Sequence, residues 1–293
     1  NSQGMPAYVG LPSAQSVYLF PGYQGAAYLG QAYNPFDVDT ETKYLGANYN
    51  VKISRPRCLD NFQSVEAKRA DHRRSLLSNL DGIERRLDQS GLMNTMDSHQ
   101  QNAINMILGG KAREAFDLEK EDPRIAERYG TGPWGRYTLM ARRLVETGVP
   151  FVEVDLGGWD THNANFVRVP ELCETLDKGL ASLVSDLHNR GLLEDTLIVL
   201  TSEFGRTPDI NENDGRDHYP LAYSTVFAGA GVKGGYAYGS TDKEGRRPAD
   251  KQCSPQDFMA TVGHAMGLPV DEVVMSPSNR PFTVGDKGAP VTD

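Results

Sequence analysis

The chain has 293 residues, of which 39% are hydrophobic and 24% charged, the composition of an ordinary globular protein. Its 30 Lys and Arg against 39 Asp and Glu give a net charge of -9, which excludes a general electrostatic footprint for nucleic acid or anionic lipid. Three cysteines, Cys58, Cys173 and Cys253, are too few for a disulfide scaffold, and no run approaches the roughly 18 consecutive apolar residues of a membrane span.

Residues 1–60 are rich in Gly, Tyr, Pro and Asn and carry little periodicity. They read as an ordered covering loop pinned by its aromatics. The charged stretch from Ala67 to Gln89 repeats apolar residues at helical spacing. A second helix is expected from Asp97 to Leu108, and a short turn over Lys111–Phe116. The run Gly130-Thr-Gly-Pro-Trp-Gly135 reads as a structural turn.

From Tyr137 onward helices and strands alternate. A helix is predicted over Tyr137–Thr147, stopped by Gly148, and a strand over Phe151–Leu156. Pro170 opens a predicted helix that runs to Arg190 and is stopped by Gly191, and Cys173 is expected to pack within it. The uniformly apolar Thr196–Thr201 reads as a strand covered on both faces. Ala222–Ala228 and Gly235–Tyr238 are further strand candidates, and Ser254 caps a helix to Met266 with Pro255 in its first position. This succession predicts a mostly parallel sheet in which 151–156 and 196–201 are parallel neighbours or near neighbours, joined by a right-handed crossover. On that reading residues 137–293 form an α/β core, and residues 1–136 form a loop-rich and helical cover of the same domain.

In such sheets ligands bind beyond the carboxyl ends of strands. Three segments there carry the residue types of chemistry. Gly157-Gly-Trp-Asp160-Thr-His162 turns sharply and then presents a carboxylate and an imidazole two residues apart, a donor pair suited to Zn, Mn or Fe. Thr201-Ser-Glu203-Phe-Gly-Arg206 offers Glu203 as a ligand and Arg206 as a planar fork for an anion, or the two as a salt bridge. Asn211-Glu-Asn-Asp-Gly-Arg-Asp217-His218 is a polar loop in which His218 is a ligand candidate and Asp217 either ligates or orients an imidazole. Asp160, His162, Glu203 and His218 are expected to converge. No nucleophile motif accompanies them; Thr161 and Ser202 are only hydroxyls nearby in sequence. The other histidines read as structural: His72 and His188 on charged helix faces, His99 in a polar helix start, and His264 beside core positions of the Ser254 helix.

Together these segments identify the chain as resembling the bacterial domain-of-unknown-function family 1501, a branch of the alkaline phosphatase and sulfatase superfamily. The motifs are Gly157-Gly-Trp-Asp-Thr-His162, Glu203-Phe-Gly-Arg-Thr-Pro208, Gly215-Arg-Asp-His218, Lys111–Leu118, Ala141–Glu146, and Ala228–Gly235 running into Gly239–Asp242. The resemblance implies a doubly wound, mostly parallel sheet flanked by helices, with a divalent metal (Zn, Mn, Ca or Mg) at the strand ends. It implies a small anionic ester, or a sulfated or phosphorylated glycan, as substrate, and a periplasmic or secreted location. Asp160, His162 and His218 look like its ligands. Phe204 stands where superfamily enzymes often carry a second histidine. The resemblance also implies a first strand with an Asp ligand, a nearby hydroxyl and often a secretion signal upstream of Asn1. Its three functional expectations are hydrolysis of phosphate or sulfate esters, metal or glycan binding without turnover, and phosphomutase-like chemistry.

Overall fold

A computed structural model describes residues 5–12, 26, 33–38, 56, 110–276 and 279–292. The helices expected over 67–89 and 97–108, with His72 and His99, lie outside the described residues. The chain divides into two compact units, residues 1–157 and 158–293.

The first unit is built on a parallel three-stranded sheet in the order β2-β1-β3, with β1 Tyr8–Leu11, β2 Phe36–Asp37 and β3 Phe151–Val154. The central strand comes from the stretch read above as covering loop. Val9 pairs with both Phe36 and Val152, and Val9 and Leu11 are fully buried. The four residues Tyr8–Leu11, with Gly10 among them and prolines close on either side, are too few to show a period, although the strand they form is the middle of the sheet.

Helices cover this sheet. α1 Gly110–Phe116 is a full helix of two turns rather than the expected short turn. α2 Pro123–Tyr129 is capped by the Asp122 carboxylate on the Arg124 amide. α3 runs Pro133–Glu146, so Pro133, Trp134 and Gly135 belong to its first turn and not to a separate one. Pro133 fits there because the first helical N–H needs no partner. Gly148, at φ 82°, ends the helix as the sequence predicts. Tyr137, Met140, Ala141 and Leu144 of α3 join Val9, Leu11, Ala112, Phe116 and Val149 in one apolar core.

Arg142 lies in that same helix and is buried at 1% exposure. Its guanidinium pairs with Glu121 and, at 2.6 Å, with Glu146; Arg143 reaches the same Glu121 carboxylate at 2.8 Å. Burial pushes the Glu121 carboxyl up, but the hydrogen bonds from Arg143 and Arg142 outweigh it and hold the group below the ordinary glutamate value.

In the second unit α4 spans Asn165–Asn189 with Pro170 inside it, five residues later than the true start. Pro170 costs one backbone hydrogen bond in the second turn, and the long amphipathic run beyond it carries the helix. Leu172, Gly179, Ser182, Asp186 and Leu187 form its buried stripe, and Cys173 is exposed rather than packed. β4 Ile198–Leu200 pairs antiparallel with β7 Val226–Ala228, in register Val199 to Phe227. β3 thus pairs in parallel with β1, as the sequence predicts for most of the sheet, whereas the partner of β4 runs antiparallel to it. A buried apolar strand gives no sign of direction, so the sequence cannot choose its partner. Two-residue strands β5 Gly205–Arg206 and β6 His218–Tyr219 pair antiparallel. β8 Ser240–Thr241 and β9 Pro248–Asp250 form a hairpin. Residues 235–238 are not a strand. α5 Pro255–Ala265 starts in the predicted way, with Ser254 and Asp257 completing a reciprocal capping box. β10 Val274–Met275 and β11 Pro281–Phe282 close the chain as a short antiparallel pair.

The architecture is thus mixed helix and strand with a small parallel sheet, and the described strands form no closed barrel. Among the described residues no helix is long and apolar enough to cross a membrane.

Candidate metal centre

The site lies wholly in the second unit and forms where three loops are laced together by backbone bonds. The loop after residue 157 enters α4 through Ala164, which sits in the left-handed region at φ 46° without a side-chain cap. The loop of residues 211–218 crosses that helix start. Its carbonyls at Asn213 and Asp214 accept from Ala164 N at 3.1 Å and Asn165 N at 2.9 Å. Arg216 N donates to Thr161 O at 3.1 Å, which ties the middle of both loops together. The third loop is aligned by the β5–β6 pairing, whose register sets Arg206 directly opposite His218.

Asn211 is the organiser the sequence reading did not single out. Its side-chain oxygen accepts from the amides of Asn213 and Gly215, both at 2.9 Å, a local turn that an Asn-x-Asn-Asp-Gly string could have announced. Its Nδ2 donates to His162 O at 3.0 Å and to Asp217 Oδ1 at 3.1 Å. Gly215 is required by proximity: a Cβ there would lie 2.0 Å from the carbonyl carbon and oxygen of His162. Gly215→Ala is therefore expected to cost about 1–3 kcal/mol and to spread the two loops. Thermal melting beside Gly132→Ala, whose Cβ meets nothing within 4 Å, checks this; equal melting of the two variants would show that the loops are not tightly laced.

The laced loops bring three ligand atoms together. His218 Nε2 lies 2.9 Å from Asp160 Oδ1, His162 Nε2 lies 2.9 Å from the same oxygen, and the two Nε2 atoms are 3.2 Å apart. Ligands at about 2.0 Å around a tetrahedral ion are roughly 3.3 Å from one another, so this triangle needs only a slight opening to become one face of such a site. The donor set, two imidazoles and a carboxylate, suits a borderline divalent cation.

Asp217 completes the His162 arm. Its Oδ1 accepts from His162 Nδ1 at 2.7 Å, so in the neutral imidazole the lone pair falls on Nε2, which faces the triad. Asp217 is thus placed as the orienting carboxylate, one of the two roles its sequence position left open. Its carboxyl is held below the ordinary range, first by the His162 hydrogen bond and then by Asn211. Asp160 is held down to about 2, chiefly by the hydrogen bond from His218 and then by Arg206. It therefore stays ionised across all ordinary pH.

Glu203 does not join the triad. Among the described residues, Asp160, His162 and His218 are the ones whose ligand atoms fall within 4.8 Å of one another. The Glu203 side chain is exposed and accepts from Ser202 Oγ at 3.4 Å. The expected Glu203–Arg206 salt bridge is replaced by another: Arg206 Nη2 donates to Asp160 Oδ1 at 2.7 Å and Nη1 to Arg216 O at 3.2 Å. Phe204, beside Glu203, lays its ring against His218 at 4.4 Å between centroids, where it steadies the imidazole. Thr161 is buried and donates to Asn165 Oδ1 at 2.7 Å, which makes it a packing hydroxyl. His188 is exposed on α4, as its charged helix face predicts, and His264 is exposed on α5 although the sequence places it beside core positions.

The triad side chains keep 44–64% of their surface exposed, an open arrangement that leaves room for a further ligand. Neither a curated protein nor a solved structure matches the chain. A family model described as "Protein of unknown function (DUF1501)" matches it over residues 1–293. The chain belongs to the DUF1501 family.

Proposed function

We propose that this protein is a metal-dependent hydrolase of phosphate or sulfate esters, with a doubly wound alkaline phosphatase/sulfatase-like core extending beyond the small parallel sheet described above. One observation carries the reading: His162 Nε2, His218 Nε2 and Asp160 Oδ1 face one another at 2.9–3.2 Å while Asp217 fixes the His162 ring from behind. A divalent ion held by these atoms would polarise an ester oxygen and lower the pKa of an attacking hydroxyl or water.

The chain's own residues do the positioning. Asp217 keeps the Nε2 lone pair of His162 directed at the triad, and Asn211 holds Asp217. Phe204 occupies the place of a second histidine and covers one side of His218, which favours a single ion over a pair. Arg206 supplies a cationic fork beside Asp160 for the anionic group of a substrate. Zn and Mn suit this donor set best, and the resemblance adds a periplasmic or secreted setting with a small anionic ester or a sulfated or phosphorylated glycan as substrate.

Turnover of aryl phosphate and aryl sulfate by the full-length protein tests this, with and without Zn²⁺ or Mn²⁺ and beside Asp160→Ala. Metal-stimulated hydrolysis lost in the variant supports the reading. Metal uptake with no hydrolysis of either ester would instead leave a binding protein. Asp217→Asn is expected to weaken metal binding by about 10- to 100-fold with little change in melting, because its side chain is exposed. Calorimetric titration checks it, and an unchanged affinity would remove Asp217 from the orienting role.

A further inference from the structure

The Asp160 carboxylate has one oxygen whose accepting capacity is filled and which still faces a third nitrogen. One oxygen, Oδ1, lies 2.7 Å from Arg206 Nη2 and 2.9 Å from each of the His162 and His218 Nε2 atoms. A carboxylate oxygen has two lone pairs. The lone pair of His162 Nε2 also points at this oxygen, because Nδ1 is spent on Asp217. Two acceptors facing each other need a cation between or beside them, and the guanidinium of Arg206 is the cation that stands there. Other charged groups nearby are engaged elsewhere: Arg216 Nη1 donates to the carbonyls of Thr207 and Pro208, both at 2.6 Å, and Glu203 turns to Ser202.

We propose that Arg206 is an exchangeable counter-cation of this centre: a divalent metal ion takes over Asp160 Oδ1, and the displaced guanidinium becomes half of a binding site for a tetrahedral oxyanion. The inference rests on the metal-site reading above and adds its order of assembly. An ion about 2.0 Å from Oδ1 could be no farther than about 4.7 Å from Nη2, which lies 2.7 Å from that oxygen, and like charges at such a distance repel even in water. Nη1 remains tethered to Arg216 O, so release pivots the guanidinium rather than freeing it. The charge balance moves with it. Asp160, Asp217 and Arg206 sum to one net negative charge, which repels an oxyanion. A divalent ion added to the same groups turns the sum to one net positive charge, with a planar fork already beside it. Metal and oxyanion should therefore bind with positive coupling, and by linkage each raises the other's affinity by the same factor.

The test is calorimetric titration of the full-length protein with Zn²⁺, in buffer free of polyvalent anions and then with inorganic sulfate, on wild type, Arg206→Ala and Arg206→Lys. In wild type, sulfate should tighten Zn²⁺ about fivefold or more, and bind measurably only when Zn²⁺ is present. Arg206→Ala should bind Zn²⁺ about tenfold more tightly without sulfate, because the competing charge is gone, and the sulfate coupling should fall towards unity. Arg206→Lys, which keeps the charge but not the two-point fork, should retain part of the competition and lose most of the coupling. Weaker Zn²⁺ binding by a folded Arg206→Ala, or sulfate coupling equal to wild type, overturns the exchange while leaving the metal site standing. If Arg206→Ala melts out, the wild-type linkage and the Arg206→Lys values decide alone. No Zn²⁺ binding in any of the three proteins overturns the metal-site reading itself, and the exchange with it.

Discussion

Replacing His218 by alanine is expected to reduce Zn²⁺ affinity by about 10²- to 10³-fold. A structural zinc site binds with roughly 10–16 kcal/mol spread over four ligands, so one ligand is worth about 3 kcal/mol. His162→Ala should do the same, and it also leaves the Asp217 carboxylate without its main donor. The loss should come without a collapse of the fold, because the side chains concerned are 44–48% exposed. His188→Ala and His264→Ala supply the comparison: both are exposed on helices, and both should bind Zn²⁺ as wild type does. Titration of the four variants separates a site from a generic affinity of surface histidines. Equal losses in all four, or none in any, would contradict the geometry.

Arg142→Met is expected to destabilise the first unit by about 3 kcal/mol. Methionine fills much of the same space, so the effect isolates the charge. Glu121, only 7% exposed, would keep Arg143 but lose its buried partner, and Glu146 would lose its 2.6 Å bond. The melting temperature should fall by roughly 6–12 °C. The double variant Arg142→Met with Glu121→Gln should lose less than the two single changes added together, because each removes the same interaction. The pH dependence carries a definite sign. Glu121 has a folded pKa below its unfolded value, so its contribution is present above the ordinary glutamate range and is lost as pH falls through the folded pKa. Wild type should therefore lose stability faster than Glu121→Gln on acidification below that range. Parallel pH profiles for the two proteins would show that the cluster is not coupled to folding.

Local chemistry made some parts of this molecule legible from sequence and left others hidden. Ser254-Pro255 announced α5, and Gly148 and Gly191 announced two helix ends, because caps and left-handed glycines act within a few residues. All three triad residues are legible because each stands in a polar segment rich in ligand-type side chains, outside the apolar pattern that secondary structure imposes. What failed was long-range. The partner of β4 is set by packing across the second unit, which no apolar triplet encodes, and β1 is too short to show alternation although it centres the parallel sheet. Arg142 falls in a helix whose stripe predicts only apolar burial; its carboxylate partners lie 21 residues before it and 4 after. Glu203 was read as a ligand from its place after a strand, but the two-residue pairing of Gly205–Arg206 with His218–Tyr219 aims Arg206, not Glu203, at Asp160.

The central claim is that Asp160, His162 and His218 together hold one divalent ion. X-ray diffraction above and below the zinc absorption edge, on crystals of the full-length protein grown with Zn²⁺, tests it most directly. One anomalous peak is expected about 2.0–2.2 Å from Asp160 Oδ1, His162 Nε2 and His218 Nε2, with Asp217 still bonded to His162 Nδ1 and Glu203 not coordinated. A peak elsewhere, or none at these three residues in Zn²⁺-grown crystals, would contradict it.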